Sequence, residues 1–272
     1  MKPEYHQSKL KFYYSCPKMF TLSQDHDPEF GSGTEMIMRE GQLFEGYVLG
    51  FKDDKNEKEL IGRKKPETIQ FIKNQAEYVR GILGGMEYNG KLLNSYVKLQ
   101  HDLPEYSLVG EADHIGQINW AIIKLIHPEA IPEEKTINDL KYTGDIQRVW
   151  WEKQNFADYF QALMYVGIHF LNTGELLPFV YIVVENSYIP PLMRIEKVFI
   201  QESDIRTKLL PFIDKVHSDL FKEPIPSFET CAGGKNKGRC WFLQHCQEGR
   251  AFMAGYKLMD FLKLNYEKSG DY

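Results

Sequence analysis

Phe179-Val-Tyr-Ile-Val-Val184 is an unbroken apolar and aromatic run, set between Pro178 and Asn186. Its β-branched content and short length read as a strand. A strand without a polar face belongs in the middle of a sheet covered on both sides. The rest of the chain must therefore supply neighbouring strands and covering layers. Ahead of the run lies a long amphipathic pattern, roughly Val149–Asn172, closed by Gly174 and predicted to be a helix. Ahead of that, Leu92–Gln100, Ser107–Ile118, Trp120–Ile126 and Thr136–Tyr142 read as consecutive short strands, with a proline-bearing loop from His127 to Lys135. After it, Arg194–Ile200 reads as a strand and Glu202–Phe221 as a helix. The N-terminal part is helical in pattern. Residues 7–24 precede a break at Asp25-His-Asp-Pro28. Residues 34–51 follow Thr34 as a candidate N-cap. After a charged loop from Lys52 to Lys65, a helix opens at Pro66 and ends at Gly84-Gly85. This order implies an α/β fold with the long helix packed across the sheet, and not a strictly alternating doubly wound one. A short helix is expected from about Gly249 to Leu264.

A chain of 272 residues can bury a full core. No apolar run approaches the roughly 20 residues that span a bilayer, and Met1-Lys-Pro-Glu-Tyr-His6 lacks the apolar centre of a secretion signal. No membrane association is expected, and the expected location is the cytoplasm. The formal charge of −5 runs against gripping nucleic acid by bulk charge. Basic groups are locally concentrated, however, at Lys52, Lys55 and Lys58, at Arg63-Lys64-Lys65, and at Lys235, Lys237 and Arg239. Each run is either a groove lining or plain solvated surface.

Two strand-like runs carry acids. One is Gly110-Glu-Ala-Asp113-His-Ile, and the other is Ile137-Asn-Asp139-Leu-Lys141-Tyr-Thr143. Side chains alternate along a strand, so Asp139 and Lys141 share a face while Leu140 points into the core. Two carboxylates offer hard oxygen ligands to a divalent ion, and a lysine beside them can orient a water or meet charge on a phosphate. Those parts suit phosphodiester hydrolysis, although Asp-x-Lys alone usually marks a solvated strand face.

With Gln161-Ala-Leu-Met-Tyr165 on the following helix and Gly41-Gln-Leu-Phe-Glu45 on an earlier one, the chain resembles the PD-(D/E)XK nuclease superfamily, in its RecB-like and exonuclease VIII-like branches. The resemblance runs from about residue 8 to residue 246. It implies a restriction-endonuclease-like mixed central sheet flanked by helices, with N-terminal helices and a C-terminal cysteine-bearing tail. A nuclease domain would cover 1–248, with a helical part at 8–90, a core at 91–221 and the tail at 222–248. Residues 249–272 would form a terminal helix. The resemblance further implies magnesium or manganese held by Asp113, Asp139, the Leu140 carbonyl and Glu45, with Glu45 standing where relatives often carry histidine. Lys141 would act on the attacking water, and Gln161 and Tyr165 would act beside the site. Glu45 is otherwise an exposed helix glutamate, and Glu111 a surface acid. Trp150 and Trp151 are either stacking platforms for bases or core and rim aromatics.

The four cysteines are Cys16, Cys231, Cys240 and Cys246. Tyr14-Ser-Cys16-Pro-Lys-Met-Phe20 resembles the N-terminal cysteine segment of iron–sulfur RecB-like nucleases of the AddB and CRISPR-adaptation types, which add a Cys-x2-Cys-x5-Cys tail. Cys240 and Cys246 keep the x5 spacing. Cys231 and Cys240 are separated by a longer, glycine-rich insertion. The resemblance implies a [4Fe–4S] cluster, with zinc or no metal as alternatives and His245 as a possible substitute ligand. It also implies linear DNA as substrate in phage recombination or repair, a ring-forming homo-oligomer, and a single-strand annealing protein as partner. No Gly-x4-Gly-Lys-Ser/Thr phosphate loop is present, so unwinding would need a helicase partner. A structure-specific endonuclease and a non-catalytic nucleic-acid-binding scaffold are the alternatives.

Overall fold

The computed structural model describes residues 2–28, 32–52, 54–62, 64–84, 87–88, 90–126, 128, 135–146, 156–224, 226–227 and 240–255. The chain divides into two compact units. One is Met1–Tyr5 with Gly31–Pro211, and the other is His6–Phe30 with Phe212–Tyr272.

The first unit holds the sheet. Its strands are β1 (Glu4–His6), β4 (Ser95–Asp102), β5 (Ser107–Gly116), β6 (Thr136–Thr143), β7 (Phe179–Glu185) and β8 (Met193–Val198). They run in the order β1-β5-β6-β7-β8, with β4 also paired to β5. The β6–β7 pair is parallel, while β4–β5, β5–β6 and β7–β8 are antiparallel. A separate two-stranded ribbon joins β2 (Glu87–Tyr88) to β3 (Lys91–Leu92). The mixed sheet flanked by helices is the expected fold class.

Strand β7 is the buried centre that its composition predicts. Phe179 to Val184 are all no more than 1% exposed. Val180, Ile182 and Val184 join a core built with Leu43, Phe44 and Val48 of α3 (Ser32–Leu49) and Ile72, Val79 and Ile82 of α5 (Pro66–Leu83). The alternate residues Phe179 and Tyr181 stack in series with Tyr165 of α7 (Phe156–Thr173), at ring distances of 6.1 and 4.7 Å. Helix α7 packs on β4 and β5. Helix α5 matches its predicted bounds. Pro66 supplies a preset φ where no N–H is needed, and Gly84 turns the chain out at φ 60°.

Several expectations are corrected. Trp120–Ile126 is helix α6, not a strand. Its burial follows an i, i+3 step from Trp120 to Ile123, and the Asn119 side chain accepts the Ile122 N–H at 3.4 Å, so a capped turn outweighs the β-branched composition. The charged loop contains helix α4 (Asp54–Ile61), which buries Leu60 against the core. The run Leu92–Gln100 is broken by a turn at Asn94, whose φ is 60°. Helix α3 begins at Ser32, which puts Thr34 inside its first turn. The predicted helix Glu202–Phe221 divides into α8 (Glu202–Asp204), a π turn (Ile205–Leu209) and α9 (Leu210–Asp219). Residues 249–255 are helical, and the rest of the predicted terminal helix lies outside the described residues. So does the start of the long helix before Phe156.

In the second unit the predicted helix over 7–24 is two helices, α1 (Gln7–Ser15) and α2 (Pro17–Asp25). Pro17 forces the preceding Cys16 into extended backbone, with φ −168° and ψ 118°. Among the described residues, no helix is long and apolar enough to cross a membrane.

Candidate active site

The ladder between β5 and β6 is short. It pairs His114 with Asn138, Ile115 with Ile137, and Gly116 with Thr136. Asn138 also meets His114 Nδ1 at 3.0 Å, and burial pulls the His114 imidazole down to about 4. One step beyond the ladder the strands no longer exchange backbone bonds. There the Leu140 N–H donates to Asp113 Oδ2 at 2.6 Å. A buried amide needs an acceptor, and here a carboxylate supplies it and is fixed by it.

Asp139 follows on β6 and is 2% exposed. Its Oδ1 accepts the Gln161 amide at 2.6 Å, and its Oδ2 is ion-paired with the Lys141 ammonium. The ammonium reaches Oδ2 by proximity, and no well-aligned hydrogen bond ends on that buried oxygen. The i, i+2 placement of Asp139 and Lys141 thus becomes a contact. Leu140 turns into the core with Phe44 and Ile182.

Charge crowding sets the chemistry. Burial, followed by the charges of Asp139 and Glu45, holds the Asp113 carboxyl well above the usual carboxylate range. Burial also raises Glu45, with Lys52 and Lys141 opposing and Asp139 adding. Burial pulls the Lys141 ammonium down, but the two aspartates outweigh it and its pKa lies above the ordinary lysine value. Tyr165 is pushed up to about 12 by burial and the Asp139 charge, against a hydrogen bond with Gln161. Its ring fits because Gly110 has no side chain. A Cβ there would lie 2.7 Å from the Tyr165 ring.

The structure therefore brings Asp113, Asp139, Lys141, Gln161 and Tyr165 together, with Glu45 coupled to them through charge. Leu140 contributes its N–H in this arrangement. Two neighbours carry no motif and went unread as site residues. Burial and then the Glu45 charge raise the Tyr96 hydroxyl, and fully buried Tyr181 sits opposite Asp139 in the β6–β7 register. The one available signal was their aromatic identity on strands beside acids. Lys64, from one basic run, is paired with Glu40 at 2.9 Å. Trp150, Trp151, Arg63, Lys235, Lys237, Arg239 and Cys231 lie outside the described residues.

The donor chemistry fits a hard divalent cation. Oxygen ligands are crowded in a dry site, one buried oxygen lacks an aligned donor, and positive charge relieves the crowding. As they lie, no three His, Cys, Asp or Glu side chains among the described residues form a closed shell for an ion. Asp113 and Asp139 would be its principal holders, with Glu45 behind them.

The second unit gathers three cysteines. Cys16 is buried with Met19 and Phe242, and Cys240 packs against this cluster. Cys16 Sγ accepts the Ser227 N–H at 3.1 Å, and Cys246 Sγ accepts the Gly249 N–H at 3.2 Å. The Cys240 thiol is raised by burial first and then by the neighbouring sulfurs of Cys16 and Cys246. Backbone N–H groups aimed at sulfur suit thiolate ligands. The His245 ring instead stacks on His26 at 3.9 Å.

No family model matches the chain. No curated protein sequence matches it either. Among solved structures, it is similar to a crystal structure from Eubacterium rectale described as a "Putative exonuclease". The two share 18% identity over 86% of this chain and 87% of that one, with a TM-score of 0.49.

Proposed function

We propose that this protein is a metal-dependent deoxyribonuclease that hydrolyses phosphodiester bonds, acting as an exonuclease on linear DNA. The observation that supports it is the buried Asp139, gripped by Gln161 on one oxygen and facing Lys141 on the other, beside an Asp113 pinned by the Leu140 amide. A divalent cation, when bound, supplies Lewis acidity to the phosphoryl oxygens and lowers the pKa of a water. The chain's own groups do the rest. Gln161 and the Leu140 amide fix the two carboxylates, so little reorganisation accompanies reaction. The partly exposed Lys141 ammonium orients the attacking water and meets the negative charge that grows on the phosphate. Glu45 adds negative charge from α3, which strengthens the demand for a cation.

The same proposal includes a metal centre in the cysteine unit, iron–sulfur or zinc, ligated by Cys16, Cys240, Cys246 and Cys231. The two sulfurs that accept backbone N–H groups, Cys16 and Cys246, support it.

The test is degradation of end-labelled linear DNA with magnesium or manganese. The wild type should degrade it. Asp139→Ala and Lys141→Ala should each fall by about 10²-fold or more while keeping a wild-type circular dichroism spectrum. Activity retained in both variants would sink the proposal. A manganese titration by calorimetry separates the rival. No binding would favour a non-catalytic nucleic-acid scaffold.

A further inference from the structure

Position 96 carries an anomaly. Tyr96 has φ 51°, a left-handed conformation that an aromatic residue rarely adopts, and Asn94 two residues earlier has φ 60°. Backbone strain of this kind persists where the surroundings enforce it and gathers at functional sites. Tyr96 is held by its surroundings. Its ring packs at the edge of the main core, and the Lys52 ammonium sits over its face, 4.4 Å from the ring centre. Burial first, and then the Glu45 charge, push its hydroxyl up. Lys52 is held in turn. It is ion-paired with Glu111, and its carbonyl accepts the Lys91 ammonium at 3.0 Å.

Register extends the arrangement. Lys98 lies directly across from Glu111 in the β4–β5 ladder. Glu111 and Asp113 are two apart on β5, so Lys98, Glu111 and Asp113 share one face of the strand pair. Lys98 is exposed, and Lys52 is nearly half exposed. Two cations thus stand on the face that leads to Asp113, Lys98 across from Glu111 and Lys52 ion-paired with it. In a protein of net charge −5, this is where a polyanion finds local positive charge beside the acids.

We infer that this face is a phosphate subsite for a nucleic-acid strand. Lys52 and Lys98 hold phosphates next to the one being cleaved, and Tyr96 is a positioning residue that fixes Lys52. Glu111 pairs with Lys52 when no strand is bound. An exposed ion pair contributes little, so an incoming phosphate exchanges with the Glu111 carboxylate at small cost. The contacts are to backbone phosphate, so binding here carries no sequence preference. The inference rests on the nuclease reading, because it takes the strand to lead into the Asp113–Asp139–Lys141 site.

The experiment is fluorescence anisotropy of a labelled, mixed-sequence single-stranded oligonucleotide. Calcium replaces manganese to suppress cleavage, and Kd is measured over a series of salt concentrations. Lys52→Ala and Lys98→Ala should each weaken binding about three- to tenfold and reduce the slope of log K against log salt by about 0.7, the loss of one phosphate contact to a single strand. Lys52→Arg should restore the slope. Glu111→Gln should tighten binding, which a merely structural Lys52–Glu111 pair would not do. Lys208→Ala, at an exposed ion pair with Asp204 on the π turn, is the control and should leave Kd unchanged. If the wild type binds and cleaves while the Lys52 and Lys98 variants keep its Kd and salt slope, the subsite is overturned and the nuclease reading stands. If the wild type neither binds the strand nor cleaves with manganese, the nuclease reading falls and takes the subsite with it.

Discussion

Asp113 shows how a single side chain can serve chemistry at the expense of stability. Its carboxylate takes the Leu140 N–H, yet burial and the neighbouring acids make its charged form unfavourable. Asparagine keeps an acceptor for that N–H and removes the charge. In chelator-treated protein, Asp113→Asn should therefore raise stability by roughly 1 kcal/mol, or about 2–4 °C in melting temperature, while abolishing DNA cleavage. Calorimetric melts with and without manganese check this. The wild type should gain from the ion and the variant should not. A lower melting temperature for the metal-free variant would mean that the hydrogen bond needs the full charge.

At the level of elements, the start of α8 offers a separable device. Gln201 and Asp204 form a reciprocal capping box, with Asp204 Oδ2 accepting the Gln201 N–H at 3.0 Å. Lys208 first, and then that N–H, hold the Asp204 carboxyl below its ordinary range. A depressed folded pKa means the contribution is complete above the unfolded value near 4 and disappears as pH falls through the lower folded value. Asp204→Ala should cost about 0.5–1 kcal/mol at pH 7 and progressively less as pH falls below about 4, as measured by urea melts over that range. The cap was not read from the sequence, although α5 was, because Pro66 presets its φ and Gly84 takes a positive φ without cost, so neither end needs a tertiary contact to set it. Strand β6 was legible through its alternation, and β7 through its lack of any. Trp120–Ile126 was misread because short apolar runs do not distinguish helix from strand. The acids and Lys141 were visible because two-residue spacing fixes a shared face. Tyr96 was not, since its role depends on an unusual φ and on Lys52, more than forty positions away in the chain, and neither leaves a local pattern.

On the scale of the whole molecule, the two units differ in how they are drawn from the sequence. The sheet unit is nearly continuous, whereas the cysteine unit joins His6–Phe30 to Phe212–Tyr272. Under the proposed metal centre, Cys16 from the first piece and Cys240 and Cys246 from the second would be tied through one site. Closing so long a loop is entropically costly, and a shared metal offsets it. Cys16→Ser should then lose bound iron or zinc and melt at a lower temperature, read by elemental analysis and calorimetry. Unchanged metal content would remove Cys16 from the ligand set. The discontinuity also sets an order of events on the ribosome. Cys16 emerges early, but its partners from position 212 onward follow only after the entire sheet unit has been made, a wait of about ten to forty seconds at ordinary synthesis rates. During that interval the sheet can collapse around β7 while a lone thiol stands unpartnered in the nascent chain. Oxidative stress during translation should therefore lower the yield of this protein more than the same stress applied after synthesis is complete.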